Sequence, residues 1–368
     1  MQHPVVLNFE GTALYSQSQV LDLFPELPAP PTPARKPKRS ATKAASMPVT
    51  APVASAAASA AVVPAPLPDG LEALAQQLEQ HPDYQILRRL RPRLDWPAQS
   101  GGAVTRIVVL DTETTGLDQS RECIIELAML CVDIDLTTGL PVGPVQVYDG
   151  LEDPKKPIPK EIVTITGITD ADVRGQALDE ARIDTLLNGA DLVVAHNAGF
   201  DRPFVERRIP RFANLRWACS FADIDWKAQG RSSAKLENLA QALGLFYDAH
   251  RAEMDCHALL AVLAAPLPKS GYTGLQALVQ AAAQPSFTLQ ATQAPFEAKD
   301  KLKARGYRWN AEQRVWQTRL SDPQLLDGEC EWLKGQVYGS RHASVLIEEM
   351  DALVKYSTRP GQAGPRVL

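Results

Sequence analysis

The run Arg106-Ile-Val-Val-Leu110, followed at once by Asp111-Thr-Glu113, constrains this chain more than any other feature. A short, continuous apolar run of this kind reads as a strand buried on both faces, with other layers above and below it. Strand side chains alternate with a period of two, so Asp111 and Glu113 project to the same side where the strand ends. Two neighbouring carboxylates repel and raise each other's pKa, and a cation between them removes that penalty. Oxygen donors without an adjacent His or Cys favour a hard divalent ion, Mg²⁺ or Mn²⁺, over zinc. A solvated Asp-x-Glu strand end without an ion is also common, so the pair needs support from elsewhere in the chain.

Two segments supply it. Val194-Ala-His-Asn-Ala-Gly-Phe-Asp201 closes a second buried strand (191–195) and opens a helix running to residue 208. Pro203 fits the first turn of that helix, where a missing N–H costs nothing. Asp201 then sits near the helix N-terminus, as a ligand or as a capping, dipole-compensating residue. In His250-Arg-Ala-Glu-Met-Asp255, the aspartate falls in the first turns of an apolar helix (253–263) and the histidine in the loop ahead of it. Alone, that pair would be an ordinary helix start with a surface histidine. Strands are also expected over 124–136 and 140–151, and helices over 169–187, 236–243 and 271–283, giving an α/β domain with a mixed sheet and helices on its faces.

The three carboxylate segments occur in this order within one α/β domain. Residues 106–263 resemble the exonuclease domain of the DEDD superfamily, in its histidine-containing (DEDDh, DnaQ-like) branch. That branch includes the proofreading subunit of bacterial replicative polymerases, ribonuclease T and oligoribonuclease. The resemblance extends to Pro157-Ile-Pro-Lys-Glu161, Thr166-Gly-Ile168 and Lys235-Leu236…Leu239-Ala240…Leu243-Gly244-Leu245. It implies a ribonuclease H-like exonuclease fold, with catalytic acids at Asp111, Glu113, Asp201 and Asp255 and the catalytic histidine at His250. It further implies two divalent ions, Mg²⁺ or Mn²⁺, roughly 3.5–4 Å apart. Asp111 would bridge both, Glu113 and Asp255 would complete the shell of one, Asp201 would hold the other through water, and His250 would take a proton from the attacking water. The tyrosine-containing branch would place Tyr where Arg251 stands. Substrate contacts carried over from the family fall on Thr114, Thr115, Gly116 and Leu117, on Thr166 and Ile168, and on Phe200 as a base-stacking ring. Many proofreading relatives have His where this chain has Thr166. His196 and Asn197 read as structural.

The expected organisation is a disordered region (1–70), a helical lead-in (71–98), the exonuclease domain (99–268), a small α+β module (285–345) and a C-terminal helix and fraying tail (346–368). Residues 28–68 are dominated by Ala, Pro, Ser and Thr, a composition that cannot bury enough apolar surface to offset the entropy of ordering. Leu71, Leu74 and Leu78 recur at helical spacing, and the helix is expected to pack on the domain that follows. Ahead of the linker, Val20-Leu-Asp-Leu-Phe24 is similar to the peptides by which bacterial proteins bind the replication sliding clamp; the usual opening glutamine is displaced to Gln19.

Between residues 296 and 319, seven basic residues face three acids in a chain of net charge −5, so the chain as a whole is not a basic nucleic-acid binder but this stretch is locally cationic. Lys299, Lys303, Arg305 and Arg308 interleave with Tyr307, Trp309 and Trp316, cations for phosphates and rings for bases. The alternative is a hydrophobic mini-core with lysines on its solvated face. The five cysteines are scattered and form no C-x-x-C, which argues against a disulfide framework or structural zinc and for a reducing, cytoplasmic compartment. The N-terminus does not read as a signal peptide and no run is long enough to span a bilayer.

The expected activity is metal-dependent 3′→5′ hydrolysis of DNA, at single-stranded or frayed ends, in repair or replication, releasing nucleoside 5′-monophosphates. The nucleic acid is the expected partner, with a sliding clamp or polymerase reached through residues 20–24. Trimming of RNA, or a catalytically silent adaptor, are the competing readings; loss of one acid would have favoured the adaptor, and none is lost.

Overall fold

The computed structural model describes residues 70–98, 101–339 and 341–368. The clamp-like peptide and the Ala/Pro-rich stretch lie outside them. The described residues divide into two units, 70–86 and 87–368. In the first, helix α1 (Leu71–Glu79) buries none of its residues, and Leu71, Leu74 and Leu78 are exposed. The lead-in is therefore not one helix to residue 98. His81-Pro82 ends the helical spacing, and in the second unit the arginine-rich stretch forms two short strands, β1 (Arg88–Arg89) and β2 (Asp95–Trp96).

Strands β3 (Val104–Thr114), β4 (Ile124–Asp135) and β5 (Pro141–Leu151) form an antiparallel meander. Helices α2 (Lys160–Thr166), α3 (Asp170–Val173) and α4 (Glu180–Leu187) follow, so the helix expected over 169–187 is two. Strand β6 (Leu192–Ala195) then pairs parallel with β3, and after helix α5 (Ala198–Arg208) strand β7 (Trp217–Cys219) pairs parallel with β6. The mixed sheet runs β2-β5-β4-β3-β6-β7, with helices on its faces as expected. Helix α6 (Leu236–Gln241), strand β8 (Leu245–Phe246), helix α7 (Ala252–Ala264) and helix α8 (Gly274–Ala283) complete this part, with β8 parallel to β1.

The pleat of β3 sorts its residues between two cores. Ile107 and Val109 join Leu259, Leu260 and Leu263 of α7 on one face. Val108 and Leu110 join Phe204 and Val205 of α5, with Phe212 and Trp217, on the other. By the same alternation Asp111 and Glu113 lie on the α7 side and Thr112 on the α5 side.

Strands β9 (Ser286–Ala291), β10 (Arg308–Asn310), β11 (Val315–Leu320), β12 (Ser344–Met350) and β13 (Gln362–Val367) form a second, antiparallel sheet in the order β10-β11-β9-β12-β13. Helices α9 (Lys299–Ala304) and α10 (Pro323–Leu333) cover one face through Leu302, Leu326 and Leu333. Residues 346–368 are thus strands rather than a helix and loose tail. The alternating Ser344–Met350 segment finds a partner in β9, and the Gly/Pro-containing segment pairs with it as an edge strand, where a proline is tolerated. The turn between these two strands reaches back to the first sheet: the Trp217 N–H donates to the Ala352 carbonyl at 2.8 Å, and Tyr356 Oη donates to Asp223. Among the described residues no helix is long and apolar enough to cross a membrane, and all five cysteines are free thiols.

Candidate active site

Asp111, Glu113 and Asp255 each offer a carboxylate oxygen, and these three atoms all lie within 4.8 Å of one another. The pleat explains the meeting. Asp111 and Glu113 leave β3 on the face that α7 covers, and Cys256 Sγ lies 3.7 Å from the Val109 carbonyl and 3.6 Å from that of Ala128, seating the first turns of α7 against β3 and β4. Asp255 is fixed further by Tyr247 Oη, which donates to its Oδ1 at 2.9 Å, and by the backbone N–H of His250, which donates to Oδ2 at 2.8 Å. His250 has φ 65°, a left-handed turn that brings the loop into the helix. Burial raises the Asp255 pKa, and the His250 imidazole is close enough to oppose part of that rise.

Asp201 reaches the same region from the opposite face. Parallel pairing of Leu110 with Ala195 puts the start of α5 beside the end of β3. The Thr112 hydroxyl, on the α5 side, donates to Asp201 Oδ1 at 2.8 Å. Asp201 therefore stands beside the group of three rather than within it, near enough for its charge to act on Asp111. The helix starts at Ala198, so Pro203 lies inside it and not in its first turn.

Electrostatically the site is acidic and strained. Burial first, then the charges of Asp201, Asp255 and Glu113, pushes the Asp111 pKa well up. Glu113 rises for the same reasons, burial before the charge of Asp255. Burial lifts Asp201 to about 7 and Asp255 to about 6. Three convergent carboxylates, costly to ionise together and with no sulfur or nitrogen donor among them, fit a hard divalent cation.

The sequence did not single out the residues that brace this site. Glu126, fully buried on β4 and paired with Glu113 across the ladder, accepts from Arg251 at 2.8 Å and from the Ala252 N–H at 2.9 Å. An acid near the start of the strand, set among the apolar residues Ile124, Ile125, Leu127 and Ala128, was the available signal. Tyr247 and Thr112 carried none, since each acts only through its tertiary partner.

The residues expected at the substrate divide into two sets. Thr114 and Thr115 are buried and bonded locally, Thr114 Oγ1 to the Gly116 carbonyl and Thr115 Oγ1 to Glu122. A Cβ on Gly116 would approach the Glu122 side chain to 3.1 Å, so the missing side chain makes room for Glu122. Leu117 and Phe200 are partly exposed, and Phe200 packs against Phe204. Thr166 and Ile168 are not surface groups. Thr166 Oγ1 donates to the Ile162 carbonyl and accepts from the Ile168 N–H, closing α2, and Ile168 is buried with Ile125, Ile158 and Val173. Their role is to hold the loop. His196 is half-buried and bonded to Ser220 at 2.6 Å, and burial of its ring nitrogens lowers its pKa to about 4.

A half-buried, convergent carboxylate cluster at the end of a parallel strand pair has the donor set that metal-assisted hydrolysis uses. Residues 108–263 match the exonuclease family model named for ribonuclease T. Over 155 residues the chain is 31% identical to the PolC-type DNA polymerase III of Thermotoga maritima, covering 40% of this chain and 11% of that protein. Over 103 residues it is 36% identical to the enzyme of Bacillus subtilis, covering 27% and 6%. The chain thus spans about a tenth or less of the length of these relatives. Among solved structures, exonuclease X in complex with 5′ overhanging duplex DNA is 27% identical at a TM-score of 0.36, covering 47% of this chain and 98% of that one.

Proposed function

We propose that the chain is a divalent-metal-dependent 3′→5′ exonuclease that removes nucleoside 5′-monophosphates from DNA, at single-stranded or frayed ends, in replication or repair. The observation that carries this reading is the convergence of Asp111, Glu113 and Asp255 within 4.8 Å, with Asp201 and His250 beside them. Asp111, Glu113 and Asp255 would hold Mg²⁺ or Mn²⁺, and Asp201, beside them, would help to hold a second ion. Bound there, such ions make water a better nucleophile and stabilise the leaving 3′-oxygen. The chain's own residues do the rest. His250 accepts the proton of the attacking water from a loop tied to Asp255. Tyr247 and Thr112 fix the carboxylates so that their orientation is set before substrate arrives. The backbone at 114–117 and the Phe200 ring face the terminal nucleotide. The match to PolC-type polymerases favours DNA, and the free thiols suit the cytoplasm.

The test is direct. Purified chain is incubated with 3′- and 5′-labelled single-stranded DNA and RNA in Mg²⁺, Mn²⁺ or EDTA. Stepwise mononucleotide release from the 3′ end of DNA, abolished by EDTA and by Asp111→Asn with the fold intact, is expected. Activity retained in Asp111→Asn removes the site assignment, and equal or faster cleavage of RNA replaces the substrate.

A further inference from the structure

The second sheet ends in an edge strand that presents the ring of Trp309 to solvent. Trp309 of β10 is directly opposite Trp316 of β11, the rings edge to face at 5.6 Å, and Trp316 is opposite Ala291 at the end of β9. Trp316 also packs into the core below, whereas Trp309 is 51% exposed. From Ala291 the chain runs a few residues to Phe296, 76% exposed, with Lys299 Nζ 4.6 Å from its ring centre.

The cations of this region fall into two groups. Arg305 is held by Glu329 and stacks on Trp332, and Lys301 donates to the Gln336 carbonyl. Tyr307 is buried and stacked on Trp332. These are structural, so Arg305 and Tyr307 leave the expected nucleic-acid set. Lys303, Arg308 and Arg314 are exposed and make no ion pair among the described residues. Arg308 precedes Trp309 on the edge strand, Arg314 lies in the turn joining β10 to β11, and Lys303 lies on the neighbouring helix α9. Solvated aromatics are costly to leave uncovered, and cations without partners repel one another. A flexible polyanion with flat, stackable groups satisfies both.

We propose that the β10 edge, with Trp309, Phe296, Lys299, Lys303, Arg308 and Arg314, is a second binding site that holds the single-stranded part of a nucleic acid while its 3′ end is processed. The proposal rests on the nuclease reading for the identity of the polyanion. The rings supply stacking without sequence preference, and the four cations supply phosphate contacts.

The test uses the full chain carrying Asp111→Asn, which binds without cleaving. Phe296→Ala with Trp309→Ala should weaken binding of an oligothymidine about tenfold or more and leave dinucleotide binding unchanged. Trp309→Phe should restore most of the affinity, which a merely folding defect would not allow. Lys303→Gln with Arg308→Gln should reduce the slope of log affinity against log salt by about 2. Unchanged oligothymidine affinity in the aromatic double variant overturns the proposal, as does an equal loss for the dinucleotide. The two readings fail separately. A chain that binds through Trp309 but never cleaves refutes the nuclease assignment alone, and one that cleaves but ignores Trp309 refutes this site alone.

Discussion

Asp111, Glu113, Asp201 and Asp255 all have pKa values raised chiefly by burial, and that fixes how the empty and the loaded site differ in stability. A carboxyl whose folded pKa exceeds its unfolded one binds more protons when folded, so its contribution is present at low pH and lost as pH rises through the folded value. For Asp255 and Asp201 that window runs from the ordinary carboxyl range near 4 up to about 6 and about 7. The metal-free chain should therefore lose stability between those values. Added Mg²⁺ should raise the melting temperature more at pH 8 than at pH 5. Thermal melts at both pH values, with EDTA or Mg²⁺, check this; a Mg²⁺ effect that is equal at the two, or larger in acid, contradicts it. Asp111 and Glu113 were legible in the sequence because an apolar run and a period of two suffice to place them side by side, while Asp201 and Asp255 became legible only through the resemblance to a known family. Glu126 was not, because its meaning depends on Arg251 lying across from it.

At the level of elements, the loop between β8 and α7 is the least regular part of the site and the most heavily tied. Arg251 binds Glu126 through Nε and Nη2, and the Ala252 N–H at the helix start binds the same carboxylate. Strand β1 pairs with β8, with Arg89 bonded to Asp248 at 2.7 Å, so residues ahead of the nuclease domain steady the loop that carries His250. Arg251→Ala leaves a fully buried carboxylate short of its cation and should cost about 1–3 kcal/mol of stability, read from urea denaturation. It should also lower turnover by displacing His250. A variant with wild-type stability and turnover would show the pair to be incidental. Periodicity located both helices that bear acids, but Pro203 was misplaced within its helix, since residue type alone does not say where the first turn begins.

Across the whole molecule, the C-terminal segment is built into the nuclease domain and is not a detachable module. Arg202, the residue after Asp201, is fully buried; its guanidinium donates to the carbonyls of Ala352, Leu353 and Lys355 and to Glu206. Lys355 in turn donates to the Ala281 and Gln284 carbonyls. Deleting residues 285–368 would strip Arg202 of three acceptors and the β7 edge of one, beside the helix that holds Asp201. Such a truncation should lose at least about 3 kcal/mol and most of its activity, measured by denaturation and mononucleotide release. A truncated chain as stable and active as the full one would show that the turn is ornamental. Alternation and helical spacing, which are local, were enough to place strands β3 to β6 and the helices that bear Asp201 and Asp255, whereas the grouping of the four acids with His250 came from the resemblance to a known family. Only the tertiary structure decided that Thr166 and Ile168 are buried, that residues 344–367 extend a sheet, and that Arg202 joins the two sheets, because each of these depends on partners distant in the chain that no spacing rule can bring together.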